Sequence, residues 1–274
     1  MPTIPSIELL IDGSGSMDTT VGGGLTRYTA IREALVGTQG VVTMLKSQVY
    51  FGAAIFTDAA PCPTLYKAPR MLNNNGIQTL IDSKTPGGAT PTPPSIDQVV
   101  ADFGANPPPT GSPPVIVLAT DGLPNSCGGN TDTQPESIVA AKAAYAAGVR
   151  LFILGIAGVN NSFLQQMANA GQGVQPGQPN AMYYTANSPA GLATAFQAII
   201  GGVLSCDLTI SGQVDPVSAM NGTVTLNGHT LMYGTDWTVV NGTTIQLIGA
   251  ACTELKSTAT PSVDASFPCG SVIF

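Results

Sequence analysis

Asp12-Gly13-Ser14-Gly15-Ser16 places one carboxylate and two hydroxyls within five residues, with glycine at both intervening positions. Two later segments offer the same kind of atom. Thr90 lies in Gly87-Gly88-Ala89-Thr90-Pro91-Thr92, and Asp121 stands between Thr120 and Gly122. Every candidate donor is an oxygen, which suits a hard cation. Mg²⁺ takes near-octahedral oxygen ligands and keeps some of its waters, Mn²⁺ accepts similar sites, and Ca²⁺ is also an oxygen-seeking ion. Two carboxylates held together repel, and a bound cation relieves that repulsion. The glycines let a tight loop turn its side chains toward one point. Each segment alone is an ordinary Gly/Ser turn. Taken together, in this order, they predict a divalent-cation site of Asp12, Ser14, Ser16, Thr90 and Asp121, with no basic residue among the three loops.

The elements that would position these residues alternate in type over the first 204 residues. Ile7–Ile11 reads as a buried parallel strand, because it is a short apolar run ending in a Gly-rich loop. Tyr28–Lys46 carries Ile31, Leu35, Val42 and Leu45 at helical spacing. Val49–Phe56 is a second strand and Pro61–Ala68 an antiparallel third. Ile77–Ile81 predicts a short helix, and Pro94 opens a further one running to about Phe103. Val115–Leu118 and Arg150–Ile156 read as strands, with Ser137–Ala147 a helix between them. Helix Ser162–Ala170, strand Met182–Thr185 and helix Ala190–Leu204 complete the series. The expected fold is α/β, a Rossmann-like, doubly wound and mostly parallel sheet. Asp12 and Asp121 then fall at carboxyl ends of parallel strands, the edge where ligands gather in such sheets.

Beyond Cys206 the pattern changes. Asn227-Gly228 and Asn241-Gly242 each sit between runs of β-forming residues, the strongest short-range hairpin signal because both turn positions need φ > 0. Ser262–Pro268 adds one more strand. Residues 205–274 are therefore expected to form a separate, all-β, sandwich-like module, following a metal-binding domain of residues 1–204. Trp237 is its expected core anchor, and His229 a packed or surface residue of a hairpin strand.

The composition narrows the partners. Charged residues make up 9% of the 274, and the formal net charge is −7. No Lys/Arg cluster exists beyond Arg27 and Arg32 on one helix, so nucleic acid and anionic membranes are not expected as partners on electrostatic grounds. No apolar run approaches the ~18 residues of a bilayer span. Met1–Pro5 leads straight into an apolar strand, without the pattern of a signal peptide. No Ser/His/Asp or Cys/His set is available, and an enzyme is not expected. Asp18 and Asp58 read as solvated or turn carboxylates. Asn160-Asn161-Ser162, Asn221-Gly222-Thr223 and Asn241-Gly242-Thr243 match glycosylation acceptors, although turns already explain the Asn-Gly pairs.

The five cysteines form no Cys-x-x-Cys pair and no zinc-type set with the single His229. Cys62 and Cys127 both follow strand ends, which makes a rim disulfide one reading and an unpaired thiol the other. For Cys206, Cys252 and Cys269 the favoured pairing is Cys206–Cys269, with Cys252–Cys269 close behind. This usage suits an oxidising compartment.

The Asp-x-Ser-x-Ser, Gly-Gly-x-Thr and Thr-Asp-Gly segments resemble, in order and context, the metal-ion-dependent adhesion site of von Willebrand factor A-like domains. The resemblance spans about residues 4–204. It implies Ser14, Ser16 and Thr90 as near ligands, with Asp12 and Asp121 acting largely through water. It also implies a protein partner whose Asp or Glu completes the shell. Ala89 departs from the Gly that often precedes the threonine. Asp121-Gly-Leu-Pro-Asn-Ser-Cys127 resembles a version in secreted proteins of myxobacteria and relatives. The expectation is thus an exported or cell-surface protein that adheres through a cation. A self-assembling surface or filament subunit is the alternative, and a cytoplasmic adaptor a further one.

Overall fold

The computed structural model describes residues 4–156, 161–186, 188–203, 205–258 and 261–273. The chain divides into two compact units, Pro5–Ile199 and a second that holds Ile200–Phe274. In the first, β1 (Ser6–Asp12) leads into a two-stranded hairpin of β2 (Thr20–Gly22) and β3 (Leu25–Thr26). Helices α1 (Arg27–Val36) and α2 (Val41–Leu45), strands β4 (Tyr50–Thr57) and β5 (Thr64–Met71), and helices α3 (Gly76–Asp82) and α4 (Thr92–Ala105) follow. Then come β6 (Pro114–Thr120), α5 (Gln134–Ala146), β7 (Arg150–Ile156), α6 (Asn161–Gly171), β8 (Tyr184–Ala186) and α7 (Pro189–Val203).

The sheet order is β5-β4-β1-β6-β7-β8, parallel throughout except for the antiparallel edge strand β5. All seven residues of β1 are buried, as a central strand covered on both faces requires. Leu10, Phe56, Leu118 and Ile153 join Ile96, Val99 and Phe103 of α4, Ala140 and Ala144 of α5, and Phe163 and Leu164 of α6 in one core. Side chains alternate across a strand, so Asp12 lies on the face of Leu10, at the carboxyl end of β1. Strand β1 connects outward to β4 while β6 leads the other way to β7, which makes the β1/β6 edge the topological switch point.

The expected helix Tyr28–Lys46 is two helices, broken between Val36 and Val41. Gly40 explains the break: a side chain there would collide with the Leu35 carbonyl, so the chain closes more tightly than a continuous helix permits. Helix α4 begins at Thr92, two residues ahead of Pro94, with proline in its first turn.

The second unit contains β9 (Asp207–Thr209), β10 (Gln213–Val214), β11 (Thr223–Leu226), β12 (His229–Leu231), β13 (Trp237–Val240) and β14 (Thr244–Leu247). Helix α8 (Gly249–Ser257), β15 (Val263–Ser266) and β16 (Val272–Ile273) complete it. Its strands form the small antiparallel sheets β12-β11-β15, β13-β14-β9 and β10-β16. Both Asn-Gly turns adopt the left-handed backbone expected of them, with φ of 52° and 83° at Asn227 and Gly228, and 53° and 71° at Asn241 and Gly242. Trp237 is fully buried, with Tyr233 and Phe267 edge-on to its ring.

Two expectations for this unit are corrected. It is not all-β, because Gly249–Ser257 is helical and buries Ala251 and Leu255 in the core. Cys206 bonds Cys252, not Cys269: the first turns of α8 bring Cys252 to Cys206, with Cα atoms 5.5 Å apart. The side chain of Cys269, the expected boundary at Leu204 and the acceptor Asn160 lie outside the described residues.

Candidate functional site

Asp12 ends β1, fully buried, and both of its carboxylate oxygens accept hydrogen bonds. The Ser14 amide donates to Oδ1 at 2.8 Å and the Thr120 hydroxyl to Oδ2 at 2.7 Å. Burial pushes the Asp12 carboxyl up to about 6; the charge of Asp121 adds to the rise, while the bonds from Thr120 and Ser14 oppose it. The chain then turns under the end of β4, where the Gly13 amide donates to the Phe56 carbonyl at 3.0 Å. A Cβ on Gly13 would lie 2.9 Å from that oxygen and from Ile55 Cγ2, so glycine is required for this approach.

The turn delivers the Ser16 hydroxyl to Asp121 and the Ser14 hydroxyl to Ser16. Ser14 Oγ lies 3.0 Å from Ser16 Oγ, and Ser16 Oγ donates to Asp121 Oδ1 at 2.8 Å. Asp12, Ser14, Thr90 and Asp121 are buried, whereas Ser16 is exposed at the mouth.

The loop bearing Thr90 is laced to the same turn. The Gly15 amide donates to the Gly88 carbonyl at 3.0 Å and the Gly87 amide to the Gly13 carbonyl at 2.8 Å. Gly88 has φ of 80°, and a side chain there would strike the Asp58 carboxylate. The Asp58 carboxylate therefore packs directly against Gly88. Thr90 is held by Asn125, whose Oδ1 accepts from the Thr90 amide at 2.6 Å and whose amide donates to the Thr90 carbonyl at 3.0 Å. Two residues on, Cys127 is disulfide-bonded to Cys62, with Cα atoms 5.9 Å apart. The bridge joins the loop after β4 to the loop after β6, at the rim. Of the two readings of this pair, the disulfide is the one observed.

One expectation fails here, because a basic residue does stand among the three loops. Arg27 Nη1 donates to Asp121 Oδ2 at 2.5 Å and to the Ser16 carbonyl at 3.2 Å. Arg27 opens α1, and its amide donates to Thr19 at 2.9 Å. Thr26 caps that helix through a reciprocal pair with Thr29. Sequence reasoning missed Arg27, Thr120 and Asn125. Thr120 and Asn125 lie inside segments already singled out, but their partners are 108 and 35 residues away. Asp18 is exposed in the short turn Gly15–Asp18, and His229 is exposed on β12.

Over residues 7–198 the sequence matches the von Willebrand factor type A domain. The chain belongs to that family. No curated protein sequence matches it. Solved structures share the fold of this von Willebrand factor A chain at low identity. The pilus adhesin SpaC from Lactobacillus rhamnosus GG is 16% identical with a TM-score of 0.57, over 89% of this chain and 37% of that one. This chain therefore spans well under half the length of that adhesin. Manganese-loaded TRAP protein from Plasmodium vivax is 16% identical with a TM-score of 0.53, over 96% and 93% of the two chains. The PilB minor pilin from Streptococcus sanguinis is 15% identical with a TM-score of 0.54, over 73% and 61%.

The donor set of this von Willebrand factor A domain suits a hard ion. Adjacent oxygens of an octahedral Mg²⁺ shell with bonds of 2.0–2.1 Å stand about 2.9 Å apart. The spacings of 3.0 and 2.8 Å along Ser14 Oγ, Ser16 Oγ and Asp121 Oδ1 match that edge. Among the described residues, no group of three or more His, Cys, Asp or Glu side chains could hold a metal. A cation here would therefore rest on hydroxyls and two carboxylates, not on a charge-rich cage.

Proposed function

We propose that this chain binds a protein partner through a divalent cation, Mg²⁺ or alternatively Mn²⁺ or Ca²⁺, held by Asp12, Ser14, Ser16, Thr90 and Asp121. The observation that carries this reading is the run of three oxygens, Ser14 Oγ, Ser16 Oγ and Asp121 Oδ1, at ligand-like spacing on the switch-point edge. A bound ion would supply an electrophilic position that attracts a partner's Asp or Glu. Ser14 and Ser16 offer neutral oxygens, which leave such an ion short of negative charge. Asp12, buried and bonded by Ser14 and Thr120, fixes the loop and contributes charge. Asn125 and the Cys62–Cys127 bridge hold Thr90 in place. The role is adhesion and not catalysis, by an exported or surface protein, with residues 205–274 as an accessory module. Its disulfide and the rim disulfide fit an oxidising compartment. Among the described residues, no helix is long and apolar enough to cross a membrane.

Calorimetric titration with Mg²⁺, Mn²⁺ and Ca²⁺ tests the metal. Asp12→Ala is expected to weaken Mn²⁺ binding at least about tenfold, as loss of a ligand or its supporting group does. Equal binding by wild type and Asp12→Ala overturns the assignment.

A second reading, a self-assembling subunit, draws on apolar side chains exposed in the second unit. Val217, Met220 and Met232 are 82%, 63% and 65% accessible. Size in solution separates the two: polymers that persist in EDTA favour assembly through these apolar side chains, polymers in Mg²⁺ that dissolve in EDTA favour assembly through the metal site, and a monomer in both favours a foreign ligand.

A further inference from the structure

The carboxyl ends of α5 and α6, with the segment 172–180 that follows α6, enclose a cavity of about 580 Å³. That volume is in the range of small-ligand pockets. The cavity lies by the amino end of β7, at the sheet edge opposite Asp12. Among the described residues that line it, none is a carboxylate and Lys142 alone is charged.

Three planar amides in this lining are each fixed at one end and uncommitted at the other. Gln178 Oε1 accepts from the Gln175 amide at 2.9 Å, Gln175 Nε2 donates to the Gly173 carbonyl at 3.0 Å, and Asn180 Oδ1 accepts from Asn169 Nδ2 at 3.0 Å. Asn169 is itself held through Oδ1, which accepts from Gln165 Nε2 at 3.0 Å and from the Ala181 amide at 2.9 Å. Among the described residues, none bonds to Gln178 Nε2, Asn180 Nδ2 or Gln175 Oε1. Two NH₂ donors and one carbonyl acceptor are thus held in place without a partner.

Beside them stands an aromatic plate. Gly173 has φ of 71°, and a Cβ there would meet Cζ, Cε1 and Cε2 of Tyr145, so the Gly173 backbone covers one face of that ring. Tyr145 is still 44% exposed, which leaves the other face to solvent.

We propose that this cavity binds a neutral hexose residue of a glycan, with its C–H face on the Tyr145 ring and its hydroxyls on the amides of Gln175, Gln178 and Asn180. The site is separate from the metal site and does not rest on that reading. A pyranose has an apolar C–H face and a rim of hydroxyls that both donate and accept. A single ring plate with fixed donors and an acceptor around it matches that division, and groups already ordered lose little freedom on binding. A cationic ligand would find no carboxylate here. An anionic sugar would meet Lys142 alone, on a chain of net charge −7.

The test uses the full chain in EDTA, so that no cation contributes. Methyl glycosides of glucose, galactose and mannose are titrated into the millimolar range while NMR follows the side-chain amides of Gln175, Gln178 and Asn180. At least one glycoside should shift these signals saturably. Tyr145→Ala should weaken its binding about tenfold, while Tyr145→Phe, which keeps the ring, should stay within about threefold. Gln178→Glu keeps the oxygen that accepts from Gln175 but loses the NH₂, and should bind about fivefold more weakly. Spectra with a neutral polysaccharide and with a neutral glycopeptide show which carrier presents the sugar.

Absence of shifts with every glycoside overturns the proposal. Wild-type affinity in both Tyr145→Ala and Gln178→Glu overturns it too, since the shifts then arise elsewhere. Tighter binding of methyl glucuronide than of any neutral glycoside, lost in Lys142→Met, replaces it with an anion site. Should Tyr145→Ala fail to fold, Gln178→Glu decides the matter alone.

Discussion

Strand β1 carries buried carboxylates on one face at both ends, Glu8 near its start and Asp12 at its finish, and the two are handled in opposite ways. Glu8 is closed off by a cation. Arg70 donates to Glu8 Oε2 at 2.9 Å, to Asp102 Oδ2 at 2.7 Å and to the Asn106 carbonyl at 3.0 Å, and its guanidinium stacks on the Phe103 ring. Gly52, the register partner of Glu8 on β4, leaves the room that this carboxylate occupies. Among the described residues, no cation is bonded to Asp12. Its oxygens take a hydroxyl and an amide, both neutral, and the nearby Arg27 binds Asp121 instead. The Glu8 carboxylate is tied into a triad with Arg70 and Asp102. In the function proposed above, Asp12, held by neutral donors beside Asp121, keeps its charge for an ion from outside.

The contrast breaks most visibly at Arg70. Above pH 7, where Glu8 is ionised, Arg70→Met leaves it buried and uncompensated and should destabilise the fold by about 3–5 kcal/mol in urea melts. Mn²⁺ affinity should stay within about twofold of wild type, because the triad lies at the other end of the strand. A large loss of Mn²⁺ binding would erase the distinction between the two ends.

Glu8 also gives the contrast a pH signature. Burial pushes its carboxyl from 4.5 up to about 7, against the pull of Arg70. The folded state therefore holds this proton more tightly than the unfolded chain does. The contribution of Glu8 is fully present below pH 4.5 and is lost as pH rises to about 7. The loss is on the order of 3 kcal/mol. Glu8→Gln should flatten that slope in denaturant melts measured in EDTA; an unchanged slope assigns it elsewhere.

Thr120 sharpens the comparison with the smallest effect. Thr120→Val keeps the shape and removes the hydroxyl that bonds Asp12 Oδ2. A bond of this kind is worth ~1 kcal/mol, or roughly fivefold in Mn²⁺ affinity. The same variant should leave the pH slope of Glu8 intact.

The strand ends that carry Asp12 and Asp121 were legible because short apolar runs ending in Gly-rich loops are how buried parallel strands read. The convergence of three oxygen-bearing loops followed from the same topology. What stayed hidden were pairings set only by the fold. No spacing rule links Arg27 to Asp121, 94 residues apart, or Thr120 to Asp12. Helix α8 was missed because its Gly249-Ala-Ala-Cys252 start directly follows two strong hairpin signals and a run of β-forming residues. The Cys206–Cys252 pairing was missed with it, since only a helix brings Cys252 to that position. The break at Gly40 was masked by apolar residues that keep helical spacing across it.

The central claim is that the Asp12 end of β1 holds an ion and the Glu8 end does not. Anomalous diffraction at the manganese edge, from crystals grown with Mn²⁺, examines both ends of the strand at once. The account predicts one strong peak within bonding distance of the Ser14 and Ser16 hydroxyls, and none beside Glu8. A map with no peak at those serines, or with its main peak at the Glu8–Arg70–Asp102 triad, contradicts it.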